Sequence, residues 1–113
     1  MSIVRDLGDV PETPHPFLRG VGMRVLYSRR DDGGDLTCFV VRCPTGSEIE
    51  EHIHEEMDVI YVLRGRASMW VEDRGVFPLR PGVFVVVPPG LRHRTFDVEK
   101  ELIVYDVFAP PMF

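Results

Sequence analysis

Apolar residues along this chain come in short runs at spacings that suit strands, and no stretch carries the periodicity of an amphipathic helix. The runs are Val21–Ser28, Leu36–Arg42, Glu48–His54, Asp58–Arg64, Ala67–Val71, Val76–Leu79, Val83–Val87, His93–Phe96 and Leu102–Phe108. They are rich in Val, Ile, Phe and Tyr, which pack well on a pleated, half-buried surface. Between them stand Asp31-Asp32-Gly33-Gly34, Pro44-Thr45-Gly46, Arg64-Gly65, Glu72-Asp73-Arg74-Gly75, Arg80-Pro81-Gly82 and Pro88-Pro89-Gly90. Glycine supplies positive φ, while proline fixes φ and removes a ladder donor, so each cluster ends a strand. Eight or nine short strands so punctuated predict an all-β fold, closed into a barrel or built as two sheets. The first twenty residues, with Pro11, Pro14 and Pro16, predict an extended arm ahead of a barrel domain at 21–113. Such an arm either crosses to a neighbouring subunit or hangs loose.

Size and composition narrow the picture. A chain of 113 residues suits one domain, and its 44% hydrophobic content can fill a core without help from disulfides or metal. Any metal is then more naturally functional than structural. The net charge of −5 and the scattered arginine pairs give no basic stripe, which argues against nucleic-acid binding. No apolar leader follows Met1, and no run approaches the roughly 20 apolar residues of a membrane span. Cys38 and Cys43 lie in one extended run, about 16 Å apart at strand rise, whereas a disulfide needs less than about 7 Å. Two free thiols without an export signal lead us to expect a cytoplasmic protein.

The candidate chemistry is histidine. In Gly46-Ser-Glu-Ile-Glu-Glu-His52-Ile-His54, two imidazoles two residues apart share one strand face, with Cα atoms about 6.6 Å apart. They are able to aim at one metal, or else to stand exposed or satisfied by backbone partners. Asp58 reaches the same point only if the chain folds back through Glu55-Glu56-Met57, since four straight residues would carry it about 13 Å away. The second segment, Gly82-Val-Phe-Val-Val-Val-Pro88-Pro-Gly90-Leu-Arg-His93, runs a buried-looking strand into a tight turn and then a histidine. That is a stiff mount for a third imidazole. His15, in Pro14-His15-Pro16, has no partner spacing and reads as structural or surface.

Together the two segments resemble the paired motifs of the cupin superfamily, Gly-x5-His-x-His-x3/4-Glu-x6-Gly and Gly-x5-Pro-x-Gly-x2-His-x3-Asn. Gly46, His52, His54 and Gly65 match the first; Gly82, Pro88, Gly90 and His93 match the second, with residues 66–81 between them. The resemblance implies a small single-domain double-stranded β-helix, or jelly-roll barrel. It also implies a divalent metal on His52, His54, His93 and a carboxylate, with one or two open positions. Asp58 stands where the family has glutamate and Asp97 where it has asparagine. Aspartate is one methylene shorter, so it must come from a closer backbone or leave three protein ligands; Glu56 is the reserve. Imidazole suits Zn, Fe, Cu and Ni, and carboxylate widens the choice to Mn.

Around the metal we expect mostly apolar interior positions: Ile60 and Val62 share parity with Asp58, while Met69 and Val71 share parity with one another. Tyr61 and Trp70 face the opposite way. Arginines at strand ends and turns disfavour a phosphosugar ligand. Two functional classes stay open. One is a metal-dependent enzyme on a small organic substrate, with oxygenase, isomerase or lyase chemistry; the other is a non-catalytic module for a metal or small ligand. The family resemblance, with a Val83–Val87 run apolar enough to be buried on both faces, leads us to expect a homodimer.

Overall fold

A computed structural model describes residues 2–113. A 3₁₀ turn at Leu7–Asp9 leads into eight strands and one helical turn: β1 Thr13–Pro14, β2 Gly22–Tyr27, α1 Arg29–Asp32, β3 Thr37–Cys43, β4 Ile49–His52, β5 Met57–Val71, β6 Gly75–Leu79, β7 Phe84–Val87 and β8 His93–Ala109. All pairings are antiparallel; the strand order is β1-β2-β3-β8-β5-β6, with β4 also on β8 and β7 also on β5. The fold is all-β, as the strand pattern predicts, and it is the jelly-roll barrel that the family resemblance implies. No helix among the described residues is long and apolar enough to cross a membrane.

Two long strands replace four of the expected short ones. Asp58–Arg64 and Ala67–Val71 join as β5, and His93–Phe96 and Leu102–Phe108 join as β8. Each bends at a residue with left-handed backbone, and there its inward face changes parity. In β5 the buried positions are Asp58, Ile60 and Val62 before Gly65 (φ 97°), then Ala67, Met69 and Val71 after it. In β8 they are His93 and Thr95 before Asp97 (φ 50°), then Val98, Leu102, Val104, Asp106 and Phe108. An irregularity that shifts the inward face by one residue is what a β-bulge does. Gly65 has a second constraint, because a methyl there would run into the Glu101 carbonyl of β8. Asp97 holds the position where the related motif has asparagine. Both side chains tolerate the left-handed region better than other residues do, so this departure is conformationally mild.

Three further differences have local causes. Ser28 accepts from Asp31 N at 3.0 Å and Gly33 closes the turn at φ 68°, so the stretch read as a turn cluster winds once as α1. Strand β7 is buried on one face only: Val87 is fully buried, while Phe84 and Val86 are 61% and 47% exposed in the single chain. The arm is tied to its own barrel at two places, by β1 on β2 and by a bidentate pair of Arg5 with Asp32 at 2.8 and 2.9 Å.

The core between the sheets holds Phe39, Val62, Leu79, Val87 and Leu102, each nearly or wholly buried. It leaves one end of the barrel hollow, and the polar inward positions of β5 and β8 open there.

Candidate metal centre

The histidines arrive from two directions. Strand β4 ends at His52, which is register partner to His93, the first residue of β8. His93 also pairs with Val71 of β5, so its backbone is held on both sides and its side chain is 2% exposed. His54 lies just past the end of β4, anchored by its carbonyl accepting from Gly90 N at 3.0 Å. Ile53 between them faces outward and is half exposed. A bend at Glu55–Glu56 then reverses the chain, as the spacing argument required, and Asp58 enters as the second residue of β5.

One nitrogen from each of the three rings lies within 4.8 Å of the others. Each ring is pinned at Nδ1 by a carbonyl: His52 by Glu50 O at 2.8 Å, His54 by Glu56 O at 2.9 Å, His93 by Leu91 O at 3.0 Å. A carbonyl only accepts, so each Nδ1 carries the hydrogen and each neutral ring presents a bare Nε2. This outer hydrogen bond fixes tautomer and orientation in the way metal-binding histidines need. His54 Nε2 and His93 Nε2 are buried and find no hydrogen-bond partner, and the same is true of Asp58 Oδ1. Leaving polar atoms so costs roughly 1–3 kcal/mol each, and a cation shared by the three imidazoles would satisfy both Nε2 atoms. The residues present therefore fit a divalent metal, and His52, His54 and His93 could hold it.

The Asp58 carboxylate is buried, with Oδ2 3.7 Å from His54 Nε2 and 3.9 Å from His93 Nε2. Facing this carboxylate holds the His54 pKa above its ordinary value. Burial pulls His93 the other way, below it, and the Leu91 carbonyl offsets this only in part. Glu56 sits in the bend ahead of β5, and its backbone carbonyl is spent on His54. The extended path that would have given it the parity of Asp58 is therefore absent.

The cavity beside the cluster has a volume of about 450 Å³. Ile49, Ile60, Met69, Leu79, Val104 and Phe108 give it a mostly apolar wall, and no lysine or arginine lines it. Of the expected interior residues, Ile60 and Met69 reach the cavity, whereas Val62 and Val71 belong to the closed core. Cys43 also lines it, and burial pushes that thiol up to about 12, which leaves it unreactive.

Two cavity residues escape a motif-based search. Asp106 is a buried carboxyl on β8; burial and the adjoining Asp58 carboxylate push its pKa well above the ordinary value. Its signal was its parity with Val104 and Phe108, an acidic residue on an otherwise apolar face. His15 is the other, which the sequence left as structural or surface. It is partly buried, lines the cavity, and has its ring centroid 6.3 Å from that of Phe39. Burial lowers its pKa to about 4, with the neighbouring His52 adding to the shift and Asp58 opposing it.

Comparison with known proteins agrees with this geometry. The chain is 29% identical over 113 residues to L-ectoine synthase of Sphingopyxis alaskensis, covering 97% of this chain and 80% of that protein. Its fold superposes on an RmlC-like cupin from Shewanella frigidimarina with a TM-score of 0.83 at 20% identity, covering 99% of this chain and 94% of the other. It superposes on ectoine synthase from P. lautus with a TM-score of 0.82 at 18% identity, covering 98% and 80%. Residues 39–108, most of the barrel and both histidine segments, match the cupin domain model, and the chain belongs to the cupin family.

Proposed function

We propose that this protein is a metal-dependent enzyme acting on a small organic molecule, with lyase, cyclase or isomerase chemistry. The metal is held by His52, His54 and His93, with Asp58 as fourth ligand. The observation that carries the proposal is the convergence of bare imidazole nitrogens within 4.8 Å at the mouth of a cavity of about 450 Å³. That volume is of the size that encloses a small molecule. The 29% identity to a protein named L-ectoine synthase supports a synthetic or eliminating reaction on a small substrate over oxygen chemistry.

A bound divalent ion would supply Lewis-acid polarisation of a substrate oxygen. The remaining tasks fall to the chain itself. The apolar wall excludes water and fits the carbon skeleton of the substrate. Asp106, whose carboxyl is pushed toward the neutral form by burial and by the Asp58 carboxylate, faces the same space and is the candidate for handling a proton there. With no lysine or arginine in the wall, a multiply charged phosphate ester would find no counter-charge from the protein, which directs the choice of substrates toward neutral or amine-bearing molecules.

The test is turnover by protein loaded separately with Mn, Fe, Zn, Ni or Cu, followed by product analysis on a panel of small amino and hydroxy acids and their amides. Product formation with at least one metal, lost on chelation, is expected. Metal uptake without turnover on any substrate would leave a binding module. Metal content after dialysis tests the ligands directly. Occupancy should fall from pH 8 to pH 5, because protons compete for the imidazoles, and equal content at both would count against the assignment.

The assembly we propose is a homodimer. Tyr61, Leu63, Phe84 and Val86 are exposed apolar residues on the outer face of β5 and β7, the kind of surface a partner subunit covers. Light scattering should give twice the chain mass of 12.9 kDa; a monomer at micromolar concentration would end this part of the proposal.

A further inference from the structure

Four histidines make up the chain's full complement, and all four line the same cavity, yet one of them is wired in reverse. His52, His54 and His93 each place Nδ1 against a carbonyl. His15 instead places Nδ1 3.1 Å from the backbone nitrogen of Phe17, which has only a hydrogen to give. Nδ1 of His15 is therefore the acceptor, and the neutral ring carries its hydrogen on Nε2. The cluster offers lone pairs to a cation, and the fourth ring offers an N–H to an acceptor.

The mount of His15 is defined by the chain. Thr13 and His15 each precede a proline, which disfavours helical backbone and keeps both extended. Thr13–Pro14 pairs with Gly22–Met23, and His15 N–H donates to Val21 O at 2.8 Å. Phe17 and Leu18 follow it along the cavity lining, so the segment forms an apolar edge with one imidazole set in it. The cupin domain match begins at residue 39, so this donor is contributed by the chain ahead of the matched segment.

The geometry points to His15 as a substrate-binding residue whose Nε2–H donates to a carbonyl or carboxylate oxygen of the molecule held in the cavity. This rests on the metal-enzyme proposal for the occupant, while the ring's hydrogen-bonding state stands independently of it. In such a site the cluster and the N-terminal donor together orient the substrate. Orientation of this kind is a direct contributor to rate. Gln at position 15 retains an N–H near the place of Nε2, whereas Phe fills the same space with no donor.

The experiment has two readouts on the full chain. ¹⁵N-histidine spectra of the metal-free protein at pH 7.5 should show three rings protonated on Nδ1 and His15 protonated on Nε2. Acetate, the simplest carboxylate probe, is then titrated into zinc-loaded wild type, His15→Phe and His15→Gln. Acetate affinity should fall about tenfold in His15→Phe, the equivalent of one hydrogen bond. It should return to within about threefold of wild type in His15→Gln, with zinc stoichiometry equal in all three. A proton on Nδ1 of His15, or wild-type acetate affinity in His15→Phe, would overturn the inference and leave the metal site standing. Failure of wild type to take up zinc would sink the metal assignment instead. The ring spectrum then still decides His15, an Nε2 proton supporting the donor and an Nδ1 proton refuting it.

Discussion

His93 and His15 reach one cavity from opposite kinds of mount. His93 opens a strand of 17 residues, paired on one side with His52 and on the other with Val71. His15 follows a strand of two residues, β1, whose paired neighbour is β2 alone. Burial lowers the pKa of both rings, yet the first presents a lone pair and the second a hydrogen. The difference teaches that the requirements of a metal and of an organic ligand are separable. A cation needs nitrogen atoms held to a fraction of an ångström, and the most buried of its ligands, His93, sits where the sheet is doubly paired. A hydrogen bond to a substrate tolerates a softer support at the rim.

The largest break in this contrast comes from the glycines of the two regions. Gly65 and Gly20 both have left-handed backbone, φ 97° and 76°, but a methyl at Gly65 meets the Glu101 backbone and one at Gly20 meets nothing. Gly65→Ala should cost on the order of 4 kcal/mol or more, since strain and a backbone clash combine at the crossing of β5 and β8. Gly20→Ala should cost about 1 kcal/mol, from backbone conformation alone. Urea denaturation of the two variants checks the pair, and equal losses would mean that β5 and β8 are not the rigid frame of the site.

Next in size are the effects on metal affinity. His93→Ala removes one of three converging nitrogens and should weaken binding by more than about 100-fold, since even a supporting outer partner is worth roughly 10–100-fold. His15→Ala should leave it within about threefold. Asp58→Asn falls between them, at about 10–100-fold, because the amide keeps the shape and loses the charge. Competition against a chromophoric chelator measures all three. Loss in His15→Ala comparable to that in His93→Ala would erase the distinction between the two mounts.

What the residue pattern disclosed follows the same division. The alternation of buried and exposed positions identified the strands, and Gly46, Gly65, Gly82 and Gly90 with the three histidines identified the barrel and its cluster. These features are local, set by φ, by parity and by two-residue spacing. Asp106 and His15 were missed because their placement is non-local. Asp106 lies within the Leu102–Phe108 run, and which face of that run turns inward is set by the parity change at Asp97. His15 enters the cavity because an arm without periodicity folds back on β2. The Val83–Val87 run is a related case: its outer face is exposed in the single chain, and apolar content alone does not say whether such a face meets its own core or a partner subunit.

The smallest effect sharpens the comparison through pH. In the folded protein His15 titrates near 4, against about 6.5 for an exposed imidazole. Between those values the unfolded chain takes up a proton that the folded ring refuses, so stability present above pH 6.5 is lost as pH falls toward 4 and changes no further below it. His93, shifted in the same direction, adds to this loss, and His54, shifted upward by Asp58, opposes it. Both contributions are common to wild type and His15→Gln, which has no titrating group at position 15. The difference between their urea midpoints should therefore narrow or reverse in favour of His15→Gln between pH 7 and pH 4.5, by a modest amount, since the ring is only partly buried and solvent screens it. Metal-free protein is the sample for this measurement, because displacement of a bound cation over the same range would add a pH dependence of its own. Parallel curves would show that His15 stays open to water in solution, and the contrast with His93 would then be one of burial rather than of wiring.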